Sequence, residues 1–410
     1  MIANRTRYNL ALRVLAIRGI VAALLALSLT ATATATAEMR PFSSWFKYGS
    51  EIDATWDVAG DAAKPMVVSI RRKSTENQSA QKRGAPRRVL VLYPRPSSAY
   101  DIAITKILNV FDSKEVNADF TVINFDLSQA RGKETIQFAE KNKFDLIFAM
   151  GSESTAWLYD NYRNGSIPVV SVCSKDPVEL GQMKDYESGS QNNFAFTSLN
   201  MPVEVQLAYV MEFKPSLKNL AILVDSKNIS AVQTQAEPIA ARARKQGIQV
   251  FMGTVQNPAK ANEELAQIIP DAVRTMQKSD FDLSNSVFLI TGSTTVFREI
   301  RTINEKAGRV PVVSMIPEIV TAGRDTAVLA VGISFESNAH LAAVYGTDIL
   351  SGRAKAGQLK VGIVSPPDIA ISFLKAREIG MRVPFSFFET ATFVYDYEGQ
   401  PARTIGRKSN

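Results

Sequence analysis

A single cysteine, Cys173, and a single histidine, His340, in 410 residues leave no material for an intrachain disulfide or for a zinc site of the common Cys/His kind. Nucleophilic catalysis fares no better. Cys173 closes a strand and His340 falls in mid-helix, so the thiol has no evident base and reads as buried and inert; the chain is read as no enzyme. No G-x-G-x-x-G follows the first strand and no G-x-x-x-x-G-K-[ST] occurs, which argues against dinucleotide or nucleotide handling, and no cofactor is expected. The apolar stretch at 20–29 is about ten residues, too short for the roughly 20 that a spanning helix needs.

That stretch instead belongs to an export signal. Arg5, Arg7, Arg13 and Arg18 form its basic end, and Ala33-Thr34-Ala35 and Ala35-Thr36-Ala37 offer the small-x-small cleavage pattern, with cleavage expected after Ala37. Setting these four arginines aside leaves 43 of the 47 basic residues against 40 acidic ones, a balance of +3. The basic isoelectric point thus belongs largely to the leader and points to no nucleic-acid partner. No cysteine follows the leader to take a lipid. A periplasmic, monomeric protein is expected.

What is abundant is a repeated pattern. The apolar run 144–150 ends in Gly151-Ser152 and leads to Ile167-Pro168-Val169-Val170-Ser171; the run 287–291 ends in Gly292-Ser293 and leads to Val310-Pro311-Val312-Val313-Ser314. Gly precedes Pro by 17 positions in the first copy and 19 in the second, room for one helix between two buried parallel strands. Further strands are expected at 88–93, 120–125, 193–197, 220–224, 248–255 and 327–333, with helices at 202–213, 231–247, 296–307 and 339–350. Such alternation is the doubly wound α/β pattern, here in two Rossmann-like lobes joined by several crossings. The expected boundaries are an N-terminal extension and basic linker at 38–88, a first lobe at 89–197 plus about 332–355, a second at 198–331 plus about 356–395, and a tail at 396–410. The linker rests on composition: seven basic residues and one acid lie between Arg71 and Arg88, while ahead of it Trp45, Phe46 and Trp56 suggest packing against a lobe and 64–70 suits a short strand.

Loops at the carboxyl ends of the strands should line a crevice between the lobes. Free amides at a helix start, with a Ser or Thr hydroxyl beside them, hold a carboxylate or similar anion without any buried formal charge. The candidates from the first lobe are Tyr93, Ser97, Ser98, Gly151, Ser152, Glu153, Ser174 and Asp176; from the second they are Asp225, Ser226, Gly292, Ser293, Thr294, Met315 and Glu318. The hydroxyls equally suit the capping of their own helices. Tyr93, Tyr100, Phe194, Phe196 and Phe335 suit an apolar wall or the core, and Glu153, Asp176, Asp225 or Glu318 a ligand ammonium.

Several of these residues also carry a resemblance. Gly151-Ser152, Ile167-Pro168-Val169-Val170 and Asp176-Pro177-Val178, with Gly332-Ile333, Ala342-Ala343, Ile349-Leu350, Gly352, Ala376, Ile379-Gly380 and Val383-Pro384, resemble the TrpX-like substrate-binding proteins of ABC transporters between residues 144 and 384. The resemblance implies the type I periplasmic-binding-protein fold and delivery of a small solute, often an amino acid and in some members an aromatic one, to an inner-membrane permease. Departures fall at ligand positions: Val331, Ser334 and Ser372 replace the family's usual Tyr, Asp and Asn, and Met315-Ile316-Pro317-Glu318 its polar loop. A ligand-sensing subunit for a transmembrane receptor or kinase shares the same fold and is the alternative role.

Overall fold

Runs in which nearly every side chain is apolar build two sheets, because strands covered by helices on both faces have no solvent side on which to alternate. A computed structural model describes residues 38–73 and 84–404; residues 1–37, where the export signal is expected, 74–83 and 405–410 lie outside it. The chain opens with an antiparallel pair, β1 (Met39–Pro41) and β2 (Lys47–Gly49). A seven-stranded sheet follows: β3 (Trp56–Asp61), β4 (Lys64–Arg72), β5 (Arg87–Tyr93), β6 (Ala118–Asn124), β7 (Leu146–Met150), β8 (Val169–Val172) and β9 (Phe194–Ala195), in spatial order β3-β4-β6-β5-β7-β8-β9. Its strands from β6 to β9 are parallel, and β7 is buried along its whole length.

Next comes β10 (Thr197–Ser198) and then the strands of an eight-stranded sheet: β11 (Asn219–Asp225), β12 (Gln249–Val255), β13 (Ser286–Ile290), β14 (Val312–Ser314), β15 (Leu329–Gly332), and, after the short β16 (Gly362–Ile363), β17 (Asp368–Ser372), β18 (Phe393–Tyr395) and β19 (Pro401–Thr404). The spatial order is β12-β11-β13-β14-β15-β17-β18-β19. The chain passes between the sheets three times: after β9, after β15, and after helix Phe335–Leu350, which packs on helix Ser98–Ser113 and on β8 before the return through β16 to β17. Two of these passages run side by side, β10 pairing with β16 in parallel. Asn338 ties helix Phe335–Leu350 to β10 and to the end of β8: its Oδ1 accepts from Cys173 N (2.7 Å) and Thr197 Oγ1 (3.1 Å), and its Nδ2 donates to Ser198 O (3.0 Å).

Three expectations need correction. The segment assigned to an extension and linker is built into the first sheet over much of its length: β3 and β4 form a hairpin whose β4 pairs with β6. Trp56 is buried against Phe120, ring centroids 5.6 Å apart, and the Arg72 guanidinium lies 5.1 Å from its ring. That apolar contact overrides the local charge. The expected tail contains β19, paired antiparallel with β18. Finally, the helix expected over 296–307 starts earlier and is broken into Thr294–Phe297 and Ile300–Ala307 by a turn at Arg298-Glu299, where Glu299 N donates to Val296 O, three residues back, and tightens the chain.

Candidate functional site

Both Gly-Ser turns end a fully buried central strand, so each is aimed by a sheet and not by a flexible loop. Gly151 turns with φ +74°, a region glycine enters without strain, and a Cβ there would overlap the Tyr100 hydroxyl. Helix Gly151–Tyr162 starts at once, and no side chain caps its first amides. Its hydroxyls bind elsewhere: Ser154 Oγ donates to Leu92 O (3.0 Å), Thr155 Oγ1 to Gly151 O (2.8 Å), and Ser152 Oγ accepts from Lys175 N (2.9 Å). The first turn therefore keeps unspent donors.

The second turn differs. Gly292 N donates to Gln235 Oε1 (2.8 Å), presented by a π-turn at Val232–Ala236, and Ser293 Oγ shares a hydrogen bond with Thr291 Oγ1 (3.2 Å). Its amide and hydroxyl are thus engaged within the protein.

The two turns meet on one cavity of about 50 Å³. Arg95, Ser97, Tyr100, Gly151, Ser152, Glu153, Cys173 and Lys175 line it from the side of the first sheet. Asn228, Ser230, Gly292 and Thr294 line it from the other, with Leu199 and Phe335 at the crossings. Arg95 and Glu153 form an ion pair (3.0 Å) at its edge; burial raises the Glu153 pKa, Arg95 opposes this, and Asp225 adds to it. Lys175 is 5% exposed, and burial pushes its ammonium down to about 8. Cys173 is buried and its thiol is pushed well up, first by burial and then by Glu318.

Of the residues expected at the site, Ser97, Gly151, Ser152, Glu153, Gly292 and Thr294 line the cavity. The others do not. Tyr93 is a core side chain, its hydroxyl donating to Tyr100 O (2.8 Å) and its ring edge-on to Trp45. Ser98 starts a helix on the exposed side. Ser174 lies behind Ser152, their hydroxyls 3.5 Å apart. Asp176 caps the next turn, accepting from Val178 N (2.9 Å) and Glu179 N (3.1 Å). Asp225 accepts from Lys227 N (2.8 Å), and Ser226 Oγ is buried without a hydrogen-bond partner. Ser293 faces Thr291. The Met315 carbonyl packs against Gly332, and Glu318 Oε1 accepts from Phe335 N (2.6 Å) at the start of helix Phe335–Leu350.

Sequence reasoning placed Arg95 and Lys175 within loops expected to face the crevice without singling either out, and it missed Ser230 and Gln235. For Lys175 a signal existed: it stands between Ser174 and Asp176 at the end of β8, where a strand opens onto the crevice.

The sequence matches the family described as ABC transporter substrate binding protein over residues 99–394. The chain belongs to that family. It is accordingly a binding protein and not an enzyme, and substrate-binding proteins of ABC importers work outside the cytoplasm. No curated protein matches it by sequence. Among solved structures it is similar to a conserved domain protein from Vibrio cholerae O1 biovar eltor, with a TM-score of 0.60 at 20% identity over 76% of this chain and 100% of that one. It is also similar to an ABC domain in complex with L-Trp from Streptococcus pneumoniae, with a TM-score of 0.60 at 16% identity over 75% and 100%. A third likeness is to the ligand-free, open form of a substrate binding protein with adhesive properties from Clostridium difficile, with a TM-score of 0.56 at 17% identity over 75% and 98%. The fold of this substrate-binding protein is the type I periplasmic-binding-protein fold. Among the described residues no helix is long and apolar enough to cross a membrane.

Proposed function

We propose that this substrate-binding protein captures a small carboxylate-bearing solute, amino acids included, between its two lobes and delivers it to an inner-membrane permease. It acts as a monomer in the periplasm, the leader having been removed near Ala37. The observation that carries this reading is the meeting of the two Gly-Ser turns, one from each sheet, on a single polar cavity. The unspent amides of helix Gly151–Tyr162 suit a carboxylate, and the L-Trp complex of the pneumococcal domain supports a ligand of that chemistry. Ligand contacts from both lobes favour the closed form in proportion to their extra affinity for it, which is what a permease would read.

The test is a thermal-shift screen of the full mature chain against amino acids, aromatic acids and short organic acids, since a ligand of the folded state raises Tm by mass action. At least one carboxylate is expected to raise Tm. Ser152→Phe fills the cavity and is expected to abolish that rise while the melt stays cooperative; an undiminished rise would remove the site from this place.

A further inference from the structure

The charges around the cavity do not balance. Three charged side chains line it, and two of them, Arg95 and Glu153, are paired at 3.0 Å. The third, Lys175, is 95% removed from solvent (5% exposed). Among the described residues no carboxylate lies within ion-pairing distance of its Nζ, and no acceptor takes a hydrogen bond from it. Its backbone is fixed to the start of helix Gly151–Tyr162 by the bond from Lys175 N to Ser152 Oγ, and its side chain crosses to the opposite turn, where a Cβ on Gly292 would overlap the ammonium. The cation therefore sits against the second turn, and the small cavity it lines is shared with a helix start whose amides no side chain caps.

An ammonium shut away from water without a counterion is costly, and an anion placed beside it offsets that cost with a charge-assisted hydrogen bond. We infer that Lys175 makes this cleft select organic acids of net negative charge over zwitterionic amino acids, holding their carboxylate between its ammonium and the first amides of helix Gly151–Tyr162. This rests on the reading of the cleft as a solute site. A zwitterion would bring an ammonium of its own, and the one carboxylate that lines the cavity, Glu153, is already paired with Arg95. The lowered pKa of Lys175, caused first by burial, agrees with a site that lacks its counterion.

Calorimetric titration of the full mature chain with two matched pairs tests this: lactate against alanine, and benzoate against benzamide. The anion of at least one pair is expected to bind wild type at least about a hundredfold more tightly than its neutral counterpart, and Lys175→Met is expected to lose about that factor, the usual loss when one partner of a buried charge pair is removed. Lys175→Met removes an unpaired buried charge and should fold; Lys175→Arg, which keeps the charge, should keep the preference for the anion. Equal anion binding by wild type and Lys175→Met, or tighter binding of alanine or benzamide, overturns the inference and leaves solute capture standing. Binding of neither pair overturns it as well, while solute capture is judged separately by the wider screen.

Discussion

Ser152 and Ser293 occupy equivalent places in the repeat, yet only Ser152 reaches the cavity, because Ser293 turns to its own strand end at Thr291. Glu318 shows a similar diversion. Partly buried by area, it has its carboxylate head beneath the surface: Oε1 accepts from Phe335 N, and Oε2 is shut from solvent with no hydrogen-bond partner. Burial pushes it up to about 8, opposed by backbone amides. The folded protein thus holds a proton between about pH 4.5 and 8 that the unfolded chain has released, so the stability this group contributes is full below 4.5 and is lost as pH rises toward 8. Glu318→Gln, which keeps the acceptor for Phe335 N, should flatten that decline. The check is the difference in Tm between wild type and variant at pH 5 and pH 8; a constant difference would refute the assignment. The burial of Glu318 is not written in the local sequence, since it depends on the start of a helix 17 residues further on; the diversion of Ser293 is a choice of rotamer toward Thr291, two residues back, which no pattern of residue types fixes.

At the scale of elements, the central strands were legible and the edges were not. Residues 146–150 and 287–290 are apolar throughout, as strands covered on both faces must be, and they lie in β7 and β13. The hairpin of β3 and β4 is an edge, half-solvated and rich in charge, with Val68 and Ile70 alternating inward among half-buried neighbours. The strand at 64–70 was legible there, but its partner β3 was not, and the charged stretch from Arg71 reads as linker. The anchor is Trp56, 1% exposed against Phe120 and Arg72. Trp56→Ala is expected to cost about 3–5 kcal/mol, the usual loss for truncating a large buried ring. Denaturant unfolding measures it, and a cost under about 1 kcal/mol, the surface level, would show the hairpin to be an ornament.

For the whole molecule the question is how a solute enters. A cavity of about 50 Å³ is far below the roughly 300–1,000 Å³ of sites that hold drug-sized ligands. On the proposed function, so small a cavity means that a solute enters when the lobes part about the three crossings, where β10 is joined to β16 and to Asn338. Small-angle scattering should give a smaller radius of gyration with a saturating ligand than without one; identical values would show that the lobes do not move. By itself the sequence determined the two α/β halves and the Gly-Ser turns that end their central strands, because continuous apolar runs and glycine-serine junctions are local properties that any covered parallel sheet imposes. Only the tertiary structure decided which hydroxyls face the cleft and that a lysine between two expected site residues carries its charge across to the opposite turn. The reach of Lys175 to Gly292 joins residues more than a hundred positions apart, and no periodicity encodes the direction in which a side chain leaves a loop.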